Sequence, residues 1–436
     1  FETWPALGDK KNKTGLKIFR LFSAGLKTSR DPWCYSSQQA KLRSQVTSSA
    51  AFYNSEAERL GKLVAKGQSE DEARKEICFN SEKFSWDRVN IRNVVRGKNI
   101  TIDQAGFRTS LYRPFFKQHS YFDPTQQLNN CTYQLPQLFP TPAHDNLGFY
   151  QVGAGSAVPF GVIATNLLPN LHVTGAGSGG QFFPRWTWEH IKAPEGELDF
   201  GMGASEGSEP GTEGEILDGY QRVDNITDEI LRIYRQALGS DVTKDDIFYF
   251  VYGQLHDPEY REKYAADLKK MLPHIETPTS RARFDQLADA GRELMDLHVN
   301  YEDVEPWPVT VDVKASADES DRETWRVQKM KWAKKKDSET GKNVNDVTTL
   351  VYNKSVTVRD IPAEADEYML GSRSALAWII DRYQVKKDKA SGIVNDPNDW
   401  ADEVGNPRYI VDLIAKVTRV AVETVRIVES IREDDE

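Results

Sequence analysis

Helix-periodic and strand-like segments fall in separate blocks along this chain and never settle into an alternating strand–helix series. A parallel sheet needs that alternation, because each crossover between parallel strands takes a dozen or more residues and is usually a helix. The block order therefore excludes a doubly wound fold and predicts an α+β protein. Three spans are expected. Residues 1–83 read as a connector and helical spacer, helix-rich from about Ser37 to Glu76. Residues 84–222 read as β-rich, with prolines and glycines punctuating short runs such as Ser110–Tyr112, Phe149–Val152 and Val158–Ala164. Residues 223–436 read as helical blocks with a small antiparallel sheet and C-terminal helices.

In the third span the local signals are specific. Thr243 with Asp246 makes a capping-box start for a helix that places Ile247, Phe250, Val251 and Leu255 on one face. Asp257-Pro258 is a cap followed by an N1 proline, opening a helix expected to run to Pro273. A further helix covers Arg281 to His298. Strands are expected at Val309–Val313, Trp325–Trp332, Thr348–Val351 and Ser355–Val358, with a polar turn at Lys335–Asn345. Two apolar helices close the chain, one carrying Leu376, Ile379 and Tyr383, the other Ile410, Leu413, Val417 and Ala421. Between them lies an Asn/Asp/Pro/Gly-dense loop with lysines at 386, 387 and 389, more than a plain helical hairpin needs.

Composition narrows the class. No apolar run approaches the ~20 residues that span a bilayer, and no secretory signal opens the chain, so no membrane partner is expected. The chain opens on Phe1 and not Met, as expected of a fragment or a processed product. Three scattered cysteines, Cys34, Cys78 and Cys131, suit a reducing cytoplasm better than a disulfide frame or a four-ligand zinc site. The net charge of −10 at first argues against nucleic acid, but its distribution does not. Residues 1–150 hold 22 Lys and Arg against 14 Asp and Glu, and the remainder holds 34 against 52. Such asymmetry can mark a basic binding surface on an acidic body.

The catalytic constellations are missing. Gly25-Leu26-Lys27-Thr28 lacks the glycine beside the lysine that lets backbone amides wrap a phosphate, so no phosphate loop is present. There is no HExxH, CxxC or GxSxG, and the seven histidines show no metal-ligand spacing. The Pro-Pro-aromatic signature that grips a flipped adenine is absent too; Asn395-Asp396-Pro397-Asn398 does not match it. The glycine-rich pieces Gly153–Ser156 and Gly175–Gly180 lead into no clear helix and read as turns or loops. The 196–215 stretch, acidic and glycine-rich, reads as a solvated loop.

One positive signal remains: basic residues interleaved with aromatic ones. Arg88, Arg92, Arg96, Lys98, Arg108, Arg113 and Lys117 alternate with Phe84, Trp86, Phe107, Tyr112, Phe115 and Phe116. Lysine and arginine neutralise phosphates, and arginine also reads guanine with two hydrogen bonds. A second patch around Lys329 and Lys331 is suited to tracking a backbone. Gln181 and Arg185, beside the second glycine-rich piece, are candidate base readers. The competing reading is a solvated amphipathic surface over an aromatic core, with Arg113 paired to an internal carboxylate.

Several motifs in collinear order carry a family resemblance. They include Leu111-Tyr112-Arg113-Pro114-Phe115, Tyr133–Pro140 (YQLPQLFP), Gln181-Phe182-Phe183-Pro184-Arg185, Asp245–Tyr264 (DDIFYFVYGQLHDPEYREKY) and Gly291–Tyr301 (GRELMDLHVNY). The set ends in DKASGIVNDPNDWADEVGNPRYI, from Asp388 to Ile410. Together they resemble the C-terminal specificity module of type ISP restriction-modification enzymes, over about residues 85–428.

The resemblance implies target recognition on double-stranded DNA, with a nuclease, a helicase-like translocase and an adenine methyltransferase lying N-terminal to this chain as its covalent partners. It implies no catalysis and no cofactor in this piece, the S-adenosylmethionine, ATP and magnesium of the full-length family being bound elsewhere. The alternative is a docking scaffold that grips the methyltransferase and helicase-like parts without reading DNA itself. On the first reading, residues 84–222 are the DNA-reading region, residues 223–436 support it, and the Asp388–Trp400 segment only braces the module.

Overall fold

The computed structural model describes residues 1–11, 14–177, 179–191 and 209–432. Most of the 196–215 stretch lies outside the described residues. The fold is α+β, with several small sheets and separate helical blocks.

The spacer is the helix Gln39–Ala65 followed by Glu70–Lys75, the latter opened by a capping box between Ser69 and Glu72. Both pack with the short helix Arg88–Val94 on Leu42, Val46, Tyr53, Leu60, Phe84 and Val94. The β-rich span supplies two four-stranded sheets. One pairs Phe107–Arg113 with Phe116–Tyr121 as a hairpin and adds Tyr35–Ser36 and Leu168–Pro169 at its edges. The other runs Ser23–Ala24, Gln181–Pro184, Gly148–Gln151, Val162–Thr165. The hairpin turn is Pro114-Phe115, with Phe115 at φ 57°. Proline suits the first central position of such a turn, while a left-handed phenylalanine costs free energy unless its surroundings hold it. They do: Phe115 is fully buried, meets Tyr301 edge-on at 5.1 Å, and its carbonyl accepts from the Tyr383 hydroxyl at 3.0 Å. The YRPF motif is thus a turn locked onto the C-terminal third.

That third follows the local signals closely. Thr243 and Asp246 form the capping box of Lys244–Gln254, and Pro258 opens Pro258–Lys263. The expected run to Pro273 is broken, because Tyr264 leaves the helical conformation before the short helix Ala265–Leu268. The antiparallel sheet is ordered Thr310–Val313, Val356–Arg359, Asn343–Val351, Lys331–Lys336. Trp325 sits in a 3-10 turn and not in a strand. The expected polar turn shortens, since Lys331–Lys336 pairs with Asn343–Val351 as far as Lys336 opposite Asn343. Helices Lys244–Gln254 and Arg281–Val299 touch through Gly253 and Gly291. A Cβ on Gly291 would stand 1.9 Å from the Tyr249 carbonyl oxygen, and one on Gly253 2.0 Å from that of Leu287.

The three spans do not each own a core. One cluster draws on Leu26, Tyr35, Phe116 and Phe182 together with Trp332, Trp378, Tyr383 and Ile414. A second joins Phe19, Phe149 and Phe183 to the helices Asp228–Leu238, Lys244–Gln254 and Arg281–Val299. Burial of apolar surface therefore ties the first 190 residues to the last 200, and the basic and acidic parts of the sequence share walls.

A buried histidine pair gives the fold a pH dependence. His298 Nδ1 meets the Tyr252 hydroxyl at 2.6 Å, its Nε2 meets Thr424 Oγ1 at 2.9 Å, and its ring stacks on Tyr368. Burial, reinforced by the Arg261 charge, pushes its pKa from 6.5 down to about 3. His256, 5.5 Å away ring to ring, is pushed down as well, by burial first and then by Arg261 and His298. The unfolded chain binds these protons near pH 6.5 while the folded chain refuses them, so stability is full above that pH and declines below it. Urea unfolding is expected to show a loss of roughly 1.4 kcal/mol per pH unit from His298 alone between pH ~6 and ~4. A His298→Gln variant should flatten that slope; an unchanged slope would contradict the buried neutral imidazole.

Candidate nucleic-acid interface

A groove of about 280 Å³ opens where the N-terminal connector, the Phe107–Tyr121 hairpin and the C-terminal loop meet. Tyr112, Phe116 and Gln118 form its floor, Asp31 and Pro32 one rim, and Arg382, Lys386 and Lys387 the other. The C-terminal loop reaches this place through a small hairpin, Lys386–Lys387 paired with Val394–Asn395. Asp388 accepts from the Ser391 amide and hydroxyl at the turn, which closes with Gly392 at φ 72°.

The hairpin is held by the basic half of the chain. Asn395 Oδ1 accepts from the Ser37 amide at 3.1 Å and hydroxyl at 3.0 Å, while its Nδ2 donates to Gln118 at 3.2 Å. Lys41 pairs with Asp399 at 3.0 Å, and the His119 ring stacks on Trp400. On the other side Asn398 exchanges two hydrogen bonds with the Val327 backbone. The segment is the brace expected of it, and it is also a wall of the groove.

Positive charge accumulates there. Lys386 and Lys387 are exposed and make no ion pair among the described residues. The Lys386 pKa is lowered by partial burial and then by Arg382, Arg373 and Arg113, with Asp381 opposing. His172, within reach of Arg113, Asp31 and Lys27, is lowered by burial, then by Arg113 and Lys27, with Asp31 opposing. Burial is the largest cause of both shifts, and nearby cations add to it against one opposing carboxylate each. Asp31 does not neutralise these cations freely: its carboxylate accepts from Tyr112 Oη at 3.0 Å and from Thr28.

The sequence-derived candidates divide. Arg88, Arg92 and Lys98 are exposed on or beside the helix Arg88–Val94 and make no ion pair among the described residues. Arg96 lies near them but pairs with Glu70 at 3.0 Å. Lys329 and Lys331 are exposed beside a cavity they share with Lys354 and Arg326. Lys117 is half-buried against Glu302. Gln181 is partly buried opposite Gln151 across the sheet, its Oε1 buried and unpartnered.

Three arginines are corrected. Arg108 lies over Phe122 and donates to the carbonyls of Ala105, Phe139 and Pro140; burial lowers its pKa to about 10. Arg113 is 8% exposed and donates to the Tyr112 carbonyl and Asn170, an amide partner in place of the expected carboxylate. It supplies charge to the groove floor without presenting its guanidinium. Arg185 is 4% exposed, forks onto both Asp224 oxygens at 2.7 and 3.0 Å, and meets Asp245 at 2.7 Å. Burial would lower its pKa, but the Asp224 and Asp245 hydrogen bonds and charges outweigh it and the pKa rises. Three of its five N–H donors are taken by the two carboxylates and the side chain is buried, so it is not placed to read a base.

Sequence reasoning did not single out the groove residues Arg382, Lys386 and Lys387. The lysine cluster was visible, but its acidic sequence neighbourhood argued against it. Neighbours in space decide the field: Arg382 and Arg373 from the same stretch of chain, joined by Arg113 from the hairpin. Among the described residues no group of three His, Cys, Asp or Glu is placed to hold a metal ion, and no helix is long and apolar enough to cross a membrane.

Comparison with known proteins places this geometry. The chain aligns with a solved nuclease-deletion mutant of the Type ISP restriction-modification enzyme LlaGI in complex with a DNA substrate mimic, at 29% identity and a TM-score of 0.76 over 99% of this chain and 34% of that one. It aligns with the ATP-dependent Type ISP restriction-modification enzyme LlaBIII bound to DNA, at 26% identity and 0.77, over 99% of this chain and 24% of that one. A DrdV–DNA complex gives 28% and 0.75, over 98% and 38%. The chain therefore spans well under half the length of each. Curated proteins give no match. A family model, the Type ISP C-terminal specificity domain, matches residues 17–413, and the chain belongs to that family.

Proposed function

We propose that this chain binds duplex DNA as the target-recognition part of a longer restriction-modification enzyme and performs no chemistry itself. The observation that carries this is the groove between the Phe107–Tyr121 hairpin and the Lys386–Asn395 segment, where Lys386 and Lys387 stand exposed beside Arg382, with the exposed Lys27 close by. Phosphates of a duplex suit such a rim, and Tyr112 and Gln118 on the floor suit contacts to sugar or base edges. The exposed set Arg88, Arg92 and Lys98, and the Lys329–Lys331 edge, extend the footprint. Gln181 is retained only as a residue reached through movement of its loop. The solved relatives, which hold DNA or a DNA mimic, support the reading. Methyl transfer, translocation and cleavage, with S-adenosylmethionine, ATP and magnesium, belong on this reading to other parts of the polypeptide. The free thiols suit the bacterial cytoplasm.

Phosphate contacts release counterions, so affinity must fall as salt rises. Fluorescence anisotropy with a labelled duplex is expected to show at least a tenfold weaker association at ~200 mM than at ~50 mM salt. Salt-independent binding sinks the phosphate assignment. Failure to bind any duplex, with intact docking to the methyltransferase part, supports the scaffold alternative. Methylation mapping in cells carrying the full-length gene then identifies the recognised bases.

A further inference from the structure

The antiparallel sheet of the C-terminal third carries an arm that its packing does not require. Strand Lys331–Lys336 pairs with Asn343–Val351, but the next strand, Val356–Arg359, pairs only with Leu350 and Val351. The register shifts at a bulge after Trp332. From there residues 333–336 and 343–346 run on as a two-stranded ribbon with no third strand among the described residues. The two faces of this ribbon differ. Side chains alternate along a strand, so Lys334, Lys336, Asn343 and Asn345 share one face, with Lys334 opposite Asn345 and Lys336 opposite Asn343. All four are exposed. The other face holds Ala333, Val344 and Asp346, each half-buried, and Lys335, which pairs with Asp346 at 3.9 Å. The exposed face therefore carries two cations, two amides and no carboxylate. Lys334 Nζ donates to Asn345 Oδ1 at 2.6 Å, and that oxygen keeps a second lone pair. Asp337 is folded into the turn, where it accepts from the Thr340 amide and hydroxyl, both at 2.7 Å.

Lysines on an edge strand commonly serve to block edge-to-edge pairing. That purpose needs neither asparagines across from the lysines nor the gathering of both on one face. Amides and ammonium groups on an exposed strip suit a polyanion whose edges carry hydrogen-bonding groups. Asparagine makes two hydrogen bonds to adenine N6 and N7, and lysine donates to guanine O6 and N7. The major groove of B-DNA, about 12 Å wide, admits a two-stranded ribbon, whose strands lie about 5 Å apart. The chain also enters the ribbon from the wall of the basic groove. Gln328 O accepts from the Val385 amide at 3.0 Å, one residue before Lys386, and Asn398 holds the Val327 backbone. At the ribbon's root Lys329, Lys331 and Lys354 stand exposed around a cavity of about 450 Å³, suited to phosphates beside an inserted ribbon. We propose that the ribbon enters the major groove of the bound duplex and that Asn343 and Asn345, flanked by Lys334 and Lys336, read base edges there. The proposal rests on the duplex-binding reading above and assigns sequence readout to this one face.

Selection from a randomised duplex library by the 436-residue chain tests this, read as base preference at each position. The wild type is expected to enrich a defined motif. Asn343→Ala with Asn345→Ala should relax one or two positions of that motif by about tenfold each and keep the rest. Asparagine displaces no counterions, so the salt dependence of duplex binding should stay as it is. Asn343→Asp keeps the side chain's shape but replaces its donor with an acceptor, and should move the preference at one position toward cytosine, whose N4 donates. Lys335→Ala, on the opposite face of the same ribbon, should leave the motif intact. All three positions are exposed, so urea unfolding of each variant should match the wild type. A motif unchanged in both asparagine variants, or relaxed as much by Lys335→Ala, overturns the assignment. Salt-dependent binding by the wild type with no enriched motif overturns it too and leaves the duplex-binding reading standing. Absence of duplex binding by the wild type overturns both.

Discussion

Replacing Lys27, Lys386 and Lys387 together with alanine is expected to weaken duplex binding by roughly tenfold or more at ~50 mM salt. The three lysines are exposed and make no ion pair among the described residues, so the fold loses nothing by the change. Each phosphate contact contributes about 0.9 to the slope of log affinity against log salt, so three lost contacts flatten that slope by about 2.7. The flattening separates phosphate contact from general loss of fold, which would lower affinity at every salt concentration alike. A matched triple variant at Arg88, Arg92 and Lys98, equally exposed, ranks the two surfaces. If that triple flattens the slope and the groove triple does not, the interface lies on the Arg88–Val94 helix and the groove assignment is wrong.

The second large effect is on stability. Arg185→Ala is expected to cost about 3–5 kcal/mol, because it strands the buried Asp224 carboxylate without its partner. The Asp224 side chain is 6% exposed, and its Oδ1 also accepts from the Ile226 amide at the entry to the Asp228–Leu238 helix. The loss therefore spreads from the Gln181–Pro184 edge to the helical block. Replacing both partners with apolar residues, Arg185→Met with Asp224→Leu, should recover much of it, since an apolar pair carries no desolvation penalty. Urea unfolding of the single and double variants measures the difference. A single variant of unchanged stability and altered site preference would restore Arg185 as a base reader.

Arg185 also shows why some assignments made from the amino-acid order fail. A Gln-Phe-Phe-Pro-Arg run beside a glycine-rich loop has the composition of a reading loop. Nothing local reveals that Asp224 and Asp245, about 40 and 60 positions on, close around the guanidinium. Arg108 and Arg113 fail likewise, the first on the carbonyls of Phe139 and Pro140, the second on Asn170. By contrast the capping box at Thr243, the proline start at Pro258 and the strands Thr310–Val313 and Val356–Arg359 were legible, because caps, prolines and alternation act within a few residues.

The Asp388–Trp400 segment marks the boundary between the two kinds of information. Its wording and its collinear companions are enough to identify the family, and its Asp/Asn/Gly/Ser chemistry is enough to expect a hydrogen-bonded loop. Its place beside the proposed binding groove came from tertiary contacts alone. Asn395 reaches Ser37 and Gln118, residues some 280 to 360 positions away, and this carries Lys386 and Lys387 out of an acidic stretch to a groove floored by Tyr112, where Arg113 joins Arg382 and Arg373. Local conformation depends on short-range sterics and hydrogen bonds that a short stretch of chain already contains. An electrostatic surface sums every charge within about a Debye length, ~10 Å, whatever its position in the chain, and only the folded packing determines which charges those are.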